Sequence, residues 1–82
     1  MRSFKTFIKR YRGQDDPIGD LADDIKEDDN FPTTASYTKI RDYLEGKNAC
    51  QECIDAFNGI YTVYWLESLK EEMERYDREE DD

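Results

Sequence analysis

The first apolar residues of the chain recur with the spacing of an amphipathic helix. Four of them stand at i, i+3, i+4 and i+7 and therefore share one face: Phe4, Phe7, Ile8 and Tyr11. Ser3 precedes this run and is a favourable N-cap, because its hydroxyl can accept a free backbone N–H. Gly13 follows the run and suits the left-handed conformation that commonly ends a helix. The pattern predicts a first helix between these two residues.

Two further segments repeat the pattern between clear boundary residues. Asp16 and Pro17 predict the start of a second helix, which Pro32 ends because a proline disfavours helical angles at the residue before it. Ser36 predicts the cap of a third helix, and Gly46 predicts its end. Eight residues form the inward faces of these helices: Ile18, Leu21, Ala22, Ile25, Tyr37, Ile40, Tyr43 and Leu44.

The remaining segment predicts two helices. Asn48 and Gln51 resemble a capping box that opens a short fourth helix, and Asn58 with Gly59 predicts a break near Asp55 before a longer fifth helix. Residues 60–66 also suit a strand, but their periodicity favours a helix. One face is predicted to carry the apolar residues of this region: Phe57, Ile60, Tyr61, Tyr64, Trp65, Leu69 and Met73. The predicted fold is therefore all-α, a compact bundle of four to five helices with a longer C-terminal helix.

Length and composition narrow the class of protein. Eighty-two residues can build one core, so we expect a single helical domain over residues 1–76 and an acidic, frayed tail over residues 77–82. The chain has no histidine, which removes imidazole-based acid–base and metal chemistry, and we expect no enzyme activity, cofactor or metal. It has no secretory signal and no apolar run of membrane-spanning length, so we expect a cytoplasmic protein with no membrane partner.

Several of these positions together resemble the YozE family, small bacterial proteins with a sterile-alpha-motif-like (SAM-like) helical fold. The resemblance rests on these residues: Ser3, Phe4, Tyr11, Arg12, Leu21, Ala22, Ile25, Asp28, Phe31, Pro32, Tyr37, Ile40, Tyr43, Leu44, Glu45 and Phe57. It implies a SAM-like fold and an uncharacterised function. The chain departs from the family pattern at Lys39, which stands in a first helical turn, at Tyr61, which replaces a usual tryptophan, and in a longer segment after Tyr64.

Two local patterns resemble metal or redox sites. Cys50 and Cys53 have CxxC spacing, but further Cys or His ligands for zinc are lacking, and we interpret both residues as half-buried structural thiols. The acidic run over residues 23–30 lacks the glycine and terminal glutamate of a calcium loop, and we interpret it as a solvated helix face.

The charge distribution is the feature most suggestive of function. The first thirteen residues carry a net charge of +5, whereas the other 69 contain seven basic and 21 acidic residues, a net charge of −14. The basic face of the first helix could contact phosphate or could pair with acidic helices of the same molecule, and the strong overall negative charge favours the second interpretation. Eleven aromatic residues also exceed what so small a core needs, so some should be exposed at a protein interface.

These observations predict a binding module that contacts an unknown protein partner through its helix faces. The candidate residues are Arg2, Lys5, Lys9, Arg10, Arg12, Asp20, Asp23, Asp24, Glu27, Trp65 and Tyr76. One form of the hypothesis is head-to-tail self-association of basic and acidic faces, which should weaken with salt. The alternatives are a nucleic-acid binder that uses the basic first helix and an acidic nucleic-acid mimic that uses the second helix and the tail.

Overall fold

The computed structural model describes the backbone of residues 2–80 and the side chains of residues 2–74. Within this part of the chain all regular structure is helical. Four α-helices follow one another, with a single 3-10 turn, Lys9–Tyr11, after the first: α1 (Phe4–Ile8), α2 (Pro17–Glu27), α3 (Tyr37–Gly46) and α4 (Gln51–Glu80). The predicted all-α bundle with a longer C-terminal helix is confirmed.

Side-chain caps fix the starts of the first three helices where the sequence predicts them. Ser3 Oγ accepts from the Thr6 amide at 3.3 Å, and Ser36 Oγ accepts from the Lys39 amide at 3.3 Å. At the start of α2, Asp16 Oδ1 accepts from the Gly19 amide at 2.8 Å. Each cap satisfies a backbone donor that has no partner within its own helix.

Asn48 has a different role from the predicted one. It adopts a left-handed conformation with φ of 60°, and the Ala49 amide donates to the Leu44 carbonyl at 3.1 Å. This is the bond pattern that ends a helix, in which asparagine is one of the residues that tolerates positive φ. The predicted capping box is therefore wrong, because Asn48 terminates α3 and α4 begins later, at Gln51.

The predicted break near Asp55 is also wrong, because α4 runs without interruption through Asn58 and Gly59. Phe57 and Ile60, which flank this pair in the sequence, are both buried. Asn58 Oδ1 accepts a hydrogen bond from the Tyr37 hydroxyl, which ties this turn to α3. Glycine in a helix costs about 1 kcal/mol relative to alanine, less than the burial of one large side chain contributes. Packing thus overrides the local helix-breaking signal.

Aromatic rings in the core join the first helix, α1, to the last helix, α4. Phe4 is fully buried and lies edge-on to Phe57 and Tyr64, with ring centroids 5.3 and 5.5 Å apart. The Tyr64 hydroxyl donates to the backbone carbonyl of Arg2, so α1 is held against α4 by both packing and a hydrogen bond. Thirteen residues form the buried core: Phe4, Phe7, Ile8, Leu21, Ala22, Ile25, Phe31, Ile40, Leu44, Ile54, Phe57, Ile60 and Tyr64.

The long last helix makes the molecule elongated, with principal extents of 50 × 25 × 21 Å. None of the helices in the described part combines the length and apolar composition of a membrane-spanning segment. The backbone of α4 continues to Glu80, while the side chains of residues 75–80 lie outside the described residues. Fraying of residues 77–82 stays a prediction.

Candidate functional site

The two arginines at the ends of the first helical segment form ion pairs with α4. Arg2 Nη2 lies 3.2 Å from Glu71 Oε1, and Arg10 Nη1 lies 3.0 Å from Glu67 Oε1. The Arg10 guanidinium also stacks over Phe7, 4.7 Å from the ring centroid. Much of the basic charge of this segment is therefore directed at acidic residues of the same chain.

Two more of the basic candidates bind backbone carbonyls. Lys5 Nζ donates to the carbonyl of Asp28 at 3.1 Å, at the C-terminus of α2, where a positive charge is favourable. Arg12 Nε donates to the Lys9 carbonyl at 3.0 Å, while the Lys9 side chain is exposed. Four of the five candidates therefore have partners within the same chain.

The acidic face of α2 borders an open cleft of about 630 Å³ between α2, α3 and the start of α4. Asp24 and Glu27 stand at its edge, whereas Asp20 lies further along α2 and Asp23 accepts from the Gly13 amide at 3.1 Å. Cys50 and Cys53 line the same cleft as free thiols. Burial raises the pKa of the Cys53 thiol, which opposes the thiolate form that a reactive cysteine needs.

Asp28 is the centre of a polar cluster that the sequence pattern does not reveal. Its Oδ2 accepts from the Tyr43 hydroxyl at 2.6 Å and from Lys47 Nζ at 2.5 Å, so it links the end of α2 to α3. These bonds, with Lys47 as the larger cause, lower the pKa of Asp28 to about 2. The carboxylate in turn raises the pKa of Lys47 and of Tyr43. The cluster involves residues distant in sequence, which explains why periodicity alone does not find it.

Among the side chains that the structure describes, no group of three or more Cys, Asp or Glu residues is arranged to hold a metal ion. The acidic residues over 23–30 divide between the exposed face of α2 and the Asp28 cluster.

The C-terminal half of α4 exposes a row of large apolar side chains, which we name the apolar stripe. It consists of Trp65, Leu66, Leu69 and Met73, which are 47%, 58%, 40% and 67% exposed. These residues are spaced by three, four, seven and eight positions, so they lie over consecutive turns on one side of the helix. The apolar face predicted from Phe57 to Met73 is therefore buried up to Tyr64 and exposed at Trp65, Leu69 and Met73.

These side chains are exposed because the rest of the bundle covers α4 only as far as Tyr64. Tyr64 is buried beneath α1, but Trp65 is rotated about 100° from it, toward the side that α3 covers. On that side the Tyr61 hydroxyl donates to the Ala35 carbonyl at 2.6 Å, just before the start of α3. Trp65 lies one turn beyond this contact, where with Tyr61 and Thr62 it borders a shallow groove of about 340 Å³.

The predicted interaction residues thus fall in separate places. The basic residues lie along α1 and the 3-10 turn, the acidic ones lie on α2, and Trp65 lies on α4 with the other residues of the apolar stripe. The Tyr76 side chain lies outside the described residues. Leu66 is the one large residue of the stripe that the sequence pattern did not single out, although it stands three positions before Leu69 and seven before Met73.

Comparison with known proteins assigns the fold to a family. Residues 3–65 match the model of the YozE SAM-like fold, which covers most of the chain and every residue of the core. The chain belongs to the YozE SAM-like family. The resemblance seen in the sequence is confirmed, and with it the SAM-like character of the bundle. The family is uncharacterised, and nothing known of it indicates catalysis.

A curated relative supports the same assignment. A UPF0346 protein of Staphylococcus haemolyticus is 33% identical over 67 residues, which cover 78% of this chain and 92% of that protein. No solved structure is significantly similar. The matched region of this YozE-family chain ends at Trp65, so most of the apolar stripe lies beyond the part that matches the family.

Proposed function

We propose that this YozE-family protein is a non-enzymatic protein-interaction module that binds its partner through the apolar stripe of α4. The observation that carries the proposal is the exposure of Trp65, Leu66, Leu69 and Met73 in consecutive turns of one helix. Single exposed apolar residues are common on protein surfaces, whereas contiguous ones typically mark an interaction site. Because 40% of the residues are charged, an apolar surface stripe stands out from the composition of the chain.

The chemistry of the stripe suits a protein partner. Tryptophan is among the residues that contribute most to protein interfaces, since it buries a large rigid surface. Methionine adapts its shape to irregular partner surfaces. The groove beside Trp65 provides a recess in which a partner side chain can be desolvated. Burial of each large apolar side chain is worth up to about 1.5–3 kcal/mol before the opposing entropy of association.

The alternatives that involve nucleic acid receive less support. Four of the five basic candidates already bind groups of the same chain, two of them through ion pairs with Glu67 and Glu71. Acidic residues that replace a phosphate backbone would have to form a regular exposed row, but Asp23 and Asp28 are engaged in hydrogen bonds within the fold. We therefore place the proposed contact on α4 rather than on α1 or α2.

The proposal includes a cytoplasmic location and a binding role without catalysis. The two cysteines are free thiols, as is usual for reduced intracellular proteins. The absence of histidine and the raised pKa of the Cys53 thiol leave no obvious nucleophile–base pair.

Site-specific photo-crosslinking in the host cell tests the function. A photoreactive phenylalanine analogue replaces Leu66, and the matched control replaces Asp42, an exposed residue of α3 outside the stripe. We expect a discrete protein adduct from position 66 that is absent from position 42. The same adducts at both positions, or no protein adduct at position 66, would contradict the proposed function.

A further inference from the structure

We propose that the partner presents a basic amphipathic helix to the apolar stripe. This inference rests on the proposed function and adds the shape and charge of the partner. It follows from three independent observations on α4: the spacing of the stripe, the charges that flank it, and its position relative to the family match.

The spacing of the stripe favours a helix as the complementary surface. Leu66, Leu69 and Met73 follow one another at intervals of three and four residues, which is the seam of a helix pair packed side by side. The three residues span about 10 Å along the helix axis, so a partner helix of a few turns would cover them. Trp65 lies beside this seam and can close one edge of the contact.

The flanking charges select a basic partner. Over residues 67–74 there are four glutamates and one lysine, Lys70. Glu67 and Glu71 already pair with Arg10 and Arg2, whereas Glu72 and Glu74 are exposed. Glu72 stands three positions after Leu69 and seven after Trp65, so its carboxylate borders the stripe. Lys70, four positions after Leu66, borders the opposite edge, and Glu74 lies about 100° round the helix from Met73. A partner helix with lysine or arginine on the edge that faces Glu72 would meet its carboxylate, within a segment whose net charge is −3.

The same charges oppose the other occupants of such a face. A second copy of this chain would bring together two molecules that each carry a net charge of −9. An anionic membrane surface would be repelled in the same way, since membrane-bound amphipathic helices place lysine and arginine beside their apolar face. For a basic helix, both the burial of apolar surface and the electrostatic attraction favour binding.

Most of the stripe lies beyond the region that matches the family model. The family match covers residues 3–65 and therefore omits Leu66, Leu69 and Met73. In the described residues the matched region supplies the entire buried core, so the stripe is not required to complete the fold. The extension of α4 thus adds a binding surface to a domain that is complete without it.

Two synthetic helices with matched sequences test the inference. Both have leucine at the a and d positions of three heptads; one has lysine and the other glutamate at e and g. Trp65 is the single tryptophan, so its emission reports contact at the stripe directly. We expect the lysine helix to shift this emission to shorter wavelength and to bind at least about tenfold more tightly than the glutamate helix at low salt.

Variants separate contact at the stripe from general attraction to an acidic protein. Leu69→Glu adds one negative charge but removes an apolar anchor, and should weaken lysine-helix binding by about tenfold or more. Gln51→Glu, the control, adds the same charge at the exposed start of α4 and should bind as the unaltered chain does. Glu72→Lys should weaken binding more than Asp42→Lys, which makes an identical charge change on α3.

Three results would overturn the inference. These are equal binding of the two helices, equal effects of Leu69→Glu and Gln51→Glu, and a Trp65 shift with anionic phosphatidylglycerol vesicles but not with the lysine helix. None of them removes a protein adduct formed at Leu66 in cells, so failure of this inference is distinguishable from failure of the proposed function.

Discussion

At the scale of single residues, Asp28 combines several roles in one side chain. It ends α2, accepts from the Asn30 amide at 3.0 Å, and binds both Tyr43 and Lys47 of the α3 region. Its backbone carbonyl also accepts from Lys5. Asp28 is one of the residues on which the family resemblance rests, and this cluster gives a structural reason for an aspartate there.

The pKa of Asp28 predicts an acid-dependent loss of stability. The folded pKa of about 2 lies below the ordinary value of 3.8, so the fold favours the ionised form. This contribution is fully present above about pH 4 and is lost as the pH falls from there through about 2. Asp28→Asn should therefore lower the urea midpoint at pH 7, and the difference from the unaltered chain should shrink between about pH 4 and 2.

Asp29→Asn is the control for this measurement, because Asp29 is an exposed neighbour of the same charge. We expect its urea midpoint to follow that of the unaltered chain across the same pH range. If Asp28→Asn behaved like Asp29→Asn, the bonds to Lys47 and Tyr43 would not contribute to stability.

At the scale of elements, the caps were predictable and the continuity of α4 was not. Ser3, Asp16 and Ser36 act through bonds to residues three positions later, so the sequence contains all the information they need. Whether Asn58 and Gly59 break a helix depends instead on Phe57, Ile60 and their partners on α1 and α3. Those partners are distant in sequence, and a pattern of spacing does not identify them.

Two glycine substitutions test this account of the helices. Gly59→Ala should stabilise the fold by about 0.5–1 kcal/mol, because a Cβ there meets open space in a helix interior. Gly19→Ala should instead destabilise by about 1–3 kcal/mol, because its Cβ would lie 1.8 Å from the backbone oxygen of Gln14. Urea unfolding measures both. A destabilising Gly59→Ala would indicate that α4 does not continue through this residue.

At the scale of the whole molecule, charge balance predicts the state of association. Arg2 and Arg10 pair within the chain, which leaves less positive charge for a neighbour's acidic face. We expect a monomer in sedimentation equilibrium at low salt. At about 1 M salt, where the Debye length is about 3 Å, repulsion is screened and weak association through the apolar stripe should increase. Association that weakens with salt would support the head-to-tail hypothesis instead.

The exposure of Trp65 also belongs to this scale. Its spacing from Tyr61 and Leu69 is as compatible with burial as with exposure, and the difference depends on where α3 begins relative to α4. The start of α3 can be predicted from the nearby sequence. The contact between Tyr61 and Ala35, which precedes α3, cannot, because these residues are 26 positions apart. The sequence therefore singles out Trp65 as a candidate contact residue but leaves open whether its side chain faces inward or outward.

The bond between Tyr64 and Arg2 has a consequence for synthesis of the protein. Its partners are 62 positions apart, so at about 5–20 residues per second the ribosome needs about 3–12 s to supply the second after the first. Until then Phe4 and Phe7 lack Tyr64, which packs against both rings, and a helix of five residues is not stable alone. The nascent chain thus completes its core only when Tyr64 has emerged, and the residues of the apolar stripe follow it.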